Sequence, residues 1–209
     1  VLSHGHNDHS WGLNHLAQYL DRVNHQDAKK IKIVAHPNAF LPKYYEDKSI
    51  GTNLPADGYP TLFERVEQPG VYYLTDNLLF LGEIARNNDF EGLEPVGKTV
   101  DCCGHKVEDF VTDDSAIVYT SPEGIVIITG CSHSGICNII DYAIKVTNDK
   151  RVRAVIGGFH LLNANSDILS RTSDYFKQLN AQAIYPCHCT DLKAKIALAN
   201  AVNIEEVGV

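Results

Sequence analysis

A chain of 209 residues that is 44% hydrophobic and 21% charged has the composition of an ordinary soluble globular protein, long enough for one domain with a substantial core. The formal net charge of −8 argues against a nucleic-acid partner, which calls for a basic face, while leaving room for a local basic pocket. No apolar run approaches the roughly 18 residues of a membrane span, so no membrane partner is expected either.

The chain opens on His4-Gly5-His6-Asn7-Asp8-His9, four metal-ligating side chains within six residues. Residues two apart in a loop can turn toward one point, so His4 and His6 can clamp one ion while Asp8 and His9 reach a second. Imidazole nitrogen and carboxylate oxygen suit Zn²⁺, Mn²⁺, Fe²⁺ or Co²⁺. Chance clustering of surface histidines is the competing explanation, and the histidines met further along weigh against it. Leu13, Leu16, Ala17, Leu20 and Val23 fall at helical spacing, which predicts a helix from Ser10 to about Val23 with Ser10 as its N-cap. Ile31–Ala35 reads as a short buried strand, and this order of elements belongs to an α/β layered architecture. Residues 37–70 carry Pro37, Pro42, Pro55, Pro60 and Pro69 among the aromatics Phe40, Tyr44, Tyr45, Tyr59 and Phe63. That composition predicts an irregular excursion, read as a lid or substrate-pocket insertion, with structural decoration as the alternative.

From Val71 the pattern becomes strand-rich, with Val71–Leu74, Leu78–Leu81, Ala116–Thr120 and Ile125–Thr129, the last two joined by a turn at Ser121-Pro122-Glu123-Gly124. A helix from Ile136 to about Val146, a strand Val152–Ile156, a helix from Ser166 to about Leu179, a strand Ala183–Tyr185 and a helix Leu192–Ala201 complete the chain. Without repeat or linker, residues 1–209 are read as a single domain. The six cysteines form no regular framework, which points to reduced thiols in a cytoplasmic protein, and no signal peptide is read before the opening motif.

Three further histidines each follow the end of an apolar strand. His133 lies in Gly130-Cys131-Ser132-His133-Ser134-Gly135, His160 in Gly157-Gly158-Phe159-His160, and His188 in Pro186-Cys187-His188-Cys189. Loops at one end of a sheet converge on a single cleft, so these histidines and the opening motif predict one metal site.

On these motifs the sequence resembles the metallo-β-lactamase superfamily. Gly82-Glu83-Ile84-Ala85-Arg86, Asp113-Asp114, Gly157-Gly158-Phe159-His160-Leu161 and His188-Cys189-Thr190 resemble a narrower subgroup, which includes the pterin synthase of methanopterin assembly and many bacterial metal-dependent hydrolases. The resemblance implies a four-layer αββα sandwich. It implies that His4, His6 and His133 hold one ion and Asp8, His9 and His188 a second. One or two divalent ions are expected, zinc first, with manganese, iron and magnesium as alternatives. The implied activity is a hydrolase using metal-activated water on a small anionic (phospho)ester. The alternative is a transferase resembling the pterin synthase, in which metal binds a diphosphate leaving group. Redox chemistry of the diiron flavoprotein type is disfavoured, because no carboxylate joins the later ligands and no flavin domain is seen. Homo-oligomerisation is compatible with the sequence.

Asp8 is expected to be both a ligand and the acceptor that orients the nucleophile. Arg86 is a candidate clamp for a substrate phosphate or carboxylate, with a surface ion pair as its alternative role. Two departures from the family stand out. The bridging aspartate that many members carry after the strand matching Val152–Ile156 is replaced by Gly-Gly-Phe-His, and His160 is read as a substrate-contacting and catalytic residue, with metal ligation as the alternative. Only Val1-Leu2 precede the opening motif, where family members have several strands, and the chain holds no methionine. The sandwich is therefore expected to be incomplete at the N-terminus, with a long unpaired edge that a further part of the fold or a partner strand would fill.

Overall fold

The computed structural model describes residues 1–23, 30–53 and 62–207. The His/Asp loop runs into a single helical turn, α1 (Asn7–Ser10), and then α2 (Gly12–Arg22). Ser10 is not the helix cap expected from its position; its hydroxyl donates to the His6 carbonyl at 2.8 Å and closes the His/Asp loop on itself. The apolar stripe of α2 buries Ala17 and Leu20 against Leu2, Ile33, Ala35 and Phe63. Two of these come from β1 (Ile31–Ala35), whose run of branched residues is buried toward its end.

The chain beyond β1 is more regular than its prolines suggest. A 3₁₀ turn at Pro37–Phe40 leads to β2 (Lys43–Tyr45) and β3 (Lys48–Ser49), and β4 (Phe63–Glu67) returns to pair in parallel with β1, Ile31 opposite Phe63 and Ala35 opposite Glu67. Pro55, Tyr59 and Pro60 lie outside the described residues. β5 (Tyr72–Thr75) and β6 (Leu78–Phe80) form a hairpin; β7 (Lys98–Val100) and β8 (Lys106–Glu108) extend β2 and β3 into a four-stranded antiparallel sheet, order β3–β2–β7–β8.

The largest sheet is mixed and six-stranded, ordered β12–β11–β10–β9–β6–β5, where β9 is Ala116–Ser121, β10 Gly124–Thr129, β11 Val152–Gly157 and β12 Ala183–Pro186. The parallel trio β10, β11 and β12 is connected through α3 (Ile136–Thr147) and α4 (Ser166–Leu179), and α5 (Leu192–Ala199) ends the fold. Asn165 and Asp191 cap α4 and α5, their side chains accepting the Ile168 and Ala194 N–H groups at 2.9 and 2.8 Å.

Register decides what each sheet face meets, because paired residues share a face. Val118, Ile127, Val155 and Ile184 form one row, fully buried with Ile139, Ile140, Phe176 and Leu198 from the helices. The opposite row runs Ile117–Ile128–Ile156 beside Tyr119–Val126–Ala154, and there Ile128 is 41% and Tyr119 44% exposed. The layers are therefore α2, the β1–β4 sheet, the six-stranded sheet and α3–α5, with part of the inner face of the large sheet uncovered among the described residues. No helix among the described residues is long and apolar enough to cross a membrane.

Candidate metal centre

The opening loop is held by a buried charge triad. Gly5 N–H donates to Asp113 Oδ2 at 2.7 Å, and Lys43 Nζ donates to Asp113 Oδ1 at 2.7 Å and to Asp109 Oδ2 at 2.8 Å. Lys43 is only 1% exposed, so its charge is matched inside the protein by two carboxylates. A Cβ at Gly5 would lie 2.3 Å from the Ala39 carbonyl oxygen, so no other residue lets the loop approach the turn after β1 this closely. His133 is fixed from the other side. Its neighbour Ser134 donates N–H and Oγ–H to Asp114 Oδ2 at 2.9 and 2.6 Å, and burial raises that carboxyl to about 6.

These anchors bring the donor atoms into two adjoining sets. In the first, His4 Nε2 and His6 Nδ1 are 3.0 Å apart, and both rings lie 4.8 Å from the His133 ring, centroid to centroid. In the second, Asp8 Oδ2, His9 Nε2 and His188 Nε2 form a triangle with sides of 3.3, 3.1 and 3.1 Å. Four-coordinate zinc with bonds of about 2.0–2.1 Å has ligand–ligand edges of roughly 3.3 Å, close to these separations. His6 Nε2 and both ring nitrogens of His133 are buried without a hydrogen-bond partner, which is costly unless something else engages them. Burial lowers the pKa of the three histidines of the opening loop and of His133: His4 well below the ordinary value, His6 to about 4, and His133 further under the added influence of His160 and His6. Neutral imidazoles are the form that binds a cation, so the donor set fits a divalent metal.

In the metal-stripped protein these depressed pKa values couple folding to pH. Their stabilisation is present above about 6.5 and is lost as pH falls through the folded values; His6 alone accounts for about 3 kcal/mol between pH 6.5 and 4. The raised carboxyl of Asp114 works in the opposite direction below about pH 6, but four lowered histidines outweigh one raised carboxyl. Urea midpoints of the metal-stripped protein are therefore expected to fall from pH 7 to 4, and a midpoint constant over that range would contradict the burial of neutral histidines.

No protein-family model matches the chain. It is 35% identical over 206 residues to an uncharacterised protein of Methanocaldococcus jannaschii, spanning 97% of this chain and 73% of the relative. It is 31% identical over 205 residues to the 7,8-dihydropterin-6-methyl-4-(beta-D-ribofuranosyl)-aminobenzene-5'-phosphate synthase of the same organism, spanning 93% and 67%. Among solved structures it superposes on Tm1679, a metal-dependent hydrolase of the β-lactamase superfamily, with a TM-score of 0.81 at 26% identity, covering 99% of this chain and 75% of that one. The chain belongs to the metallo-β-lactamase superfamily. Its layers are those of the superfamily's αββα sandwich.

Within this metallo-β-lactamase fold, His6 and His133 of the first set and Asp8 and His188 of the second line an open cleft of about 680 Å³ bordered by Tyr45, His160 and Leu162. A second cavity of about 400 Å³ adjoins it across His133 and His160 and is walled by Phe90, Glu91, Phe110 and Arg171. His160 holds a left-handed backbone, φ 52°, with its ring 4.3 Å from that of His133 but outside both donor sets. Arg86 is placed elsewhere. Its guanidinium donates to the Phe110 and Val111 carbonyls and borders a separate pocket with Glu83, Asp114 and Ser134. Arg171 was not singled out from the sequence; it pairs with Asp89 and stacks 4.3 Å over Phe90 at the mouth of the second cavity. Lys43 carries no sequence signal of its own, and Asp113-Asp114 stands out in the sequence only through the resemblance.

Proposed function

We propose that this protein is a metal-dependent hydrolase of small anionic esters, with His4, His6 and His133 holding one divalent ion and Asp8, His9 and His188 a second. The observation that carries the reading is the pair of adjoining donor sets, with buried histidine nitrogens that have no partner of their own. The nitrogen-rich donors favour zinc, with manganese, iron and magnesium as alternatives. Such an ion supplies a Lewis acid and brings the pKa of water to about 7. Asp8 Oδ2 reaches both His9 and His188, and its half-exposed carboxylate faces the cleft, where it can accept a hydrogen bond from an attacking water and orient it. His160 lies on the wall common to both cavities, where it can donate to negative charge developing on the substrate. Tyr45 and Ile50 of the 37–70 segment line the cleft, which supports assigning that segment to the substrate pocket within a single domain. Arg86 was assigned as an anion clamp from the sequence; Arg171 is the arginine that borders the second cavity and is the better placed for that role. Six unpaired cysteines fit a reducing compartment such as the cytoplasm.

His160→Ala is expected to lower kcat by about 100-fold or more, as for loss of one positioned donor, while metal content stays at the wild-type level. Metal content falling with the substitution would make His160 a ligand instead. The second reading, a transferase, is favoured by the cavity walled by Phe90, Phe110 and Glu91, which suits a flat aromatic group bound beside a carboxylate. Metal analysis together with phosphomonoester, phosphodiester and lactone substrates tests the hydrolase, and formation of the product named for the homologous synthase tests the transferase. Turnover of the esters with no synthase product supports the first reading, and the reverse supports the second.

A further inference from the structure

We infer that Cys131 supplies a thiolate donor to the metal centre, between its two histidine sets. This rests on the metal-dependent reading above and adds a sulfur to a site otherwise built from nitrogen and oxygen. Cys131 Sγ lies 3.2 Å from His9 Nε2. It falls within 4.8 Å of donor atoms of His4 and His9, and again of His188 and Cys189, so it reaches one histidine of the first set and both of the second. The thiol is 5% exposed, as befits a group that faces the site and not solvent.

Backbone crowding delivers the sulfur to that point. A Cβ at Gly130 would stand 2.2 Å from Ser3 Oγ and 3.4 Å from His9 Nδ1, so the chain just past β10 lies directly against the opening segment, with Cys131 the next residue. The same crowding keeps a carboxylate out. A Cβ at Gly158 would lie 2.5 Å from the carbonyl oxygens of Gly130 and His188 and 2.7 Å from Cys189 Sγ, so residue 158 cannot carry an oxygen ligand into this space. Asp8 is the carboxylate that the two sets contain among the described residues. Cys189 is the competing sulfur; its Sγ donates to the Cys131 carbonyl and accepts the His160 N–H, both at 3.3 Å, and it joins only the donor group of His188, whereas Cys131 also joins that of His4 and His9. Binding as thiolate releases the Cys131 proton to water, and the softer donor selects zinc or cobalt over magnesium.

The test loads the intact protein with Co²⁺ and compares wild type, Cys131→Ser and Cys189→Ser by electronic absorption, alongside X-ray absorption of the zinc forms of the wild type and Cys189→Ser. The expected result is a near-ultraviolet sulfur-to-cobalt charge-transfer band in wild type and Cys189→Ser. In Cys131→Ser that band is lost while visible ligand-field bands remain. The zinc form should show a sulfur shell at about 2.3 Å. A wild type that binds cobalt without the band, or a band that survives in Cys131→Ser, overturns the inference and leaves the metal-dependent reading standing. If Cys131→Ser fails to fold or to bind cobalt, the zinc form of Cys189→Ser decides: a sulfur shell that persists there supports the inference, and its absence overturns it. A wild type that binds neither ion overturns the metal-dependent reading itself.

Discussion

Replacing His133 with alanine is expected to remove bound metal and turnover together. Both nitrogens of this ring are buried and unpartnered, and a bound cation would engage one of them. Changes to groups that merely support a metal ligand cost 10–100-fold in affinity, so deleting a ligand should cost more than about 100-fold. His4→Ala should behave alike, since His4 lies in the same set and is wholly buried. Metal content after dialysis, read beside ester turnover and far-ultraviolet circular dichroism, separates loss of metal from loss of fold. Full activity in a metal-stripped wild type, or in His133→Ala, would sink the proposed chemistry.

The second large effect is structural. Lys43→Met leaves Asp109 and Asp113 buried, 5% and 0% exposed, with no counter-charge, and breaking one side of such a pair costs about 3–5 kcal/mol. The loss is not confined to stability, because Asp113 also holds the Gly5 N–H at the centre of the ligand loop. Metal affinity should therefore drop in Lys43→Met although Lys43 contacts no donor. Chemical denaturation of the metal-free variant checks the first part, and a loss below about 1 kcal/mol would mean that the triad is not the anchor described. Replacing Lys43, Asp109 and Asp113 together with apolar residues of similar volume should restore part of the stability, since it removes the unpaired charges but leaves the Gly5 and Val111 N–H groups without their acceptors.

The candidate ligand positions were legible from local cues: the dense His4-Gly5-His6-Asn7-Asp8-His9 run for four of them, and for His133 and His188 a short apolar strand, then a loop, then a histidine. The same holds for α4 and α5, whose starts at Asn165 and Asp191 carry ordinary capping residues. What stayed hidden depends on partners far away in sequence. Phe63-Glu64-Arg65-Val66-Glu67 has three charges in five residues and no buried-strand signature, yet it becomes β4 because β1 offers it a parallel edge. β7 and β8 are three-residue strands with lysine or glutamate at their ends, defined by each other and by β2. Lys43 looks like any surface lysine until Asp109 and Asp113, 66 and 70 positions later, fold over it. Arg171 belongs to a helix with many polar residues, and only the proximity of Phe90 distinguishes it.

The contact between His9 and His188 also bears on chain topology. The two imidazoles are 179 positions apart in sequence and 3.1 Å apart in space. An ion gripped by both closes a loop of nearly the whole polypeptide and restricts the unfolded ensemble as a long-range crosslink does, by about 5 kcal/mol in the loop-entropy picture. Chelation would then loosen the molecule from one end to the other, and the unfolding temperature would track free metal concentration.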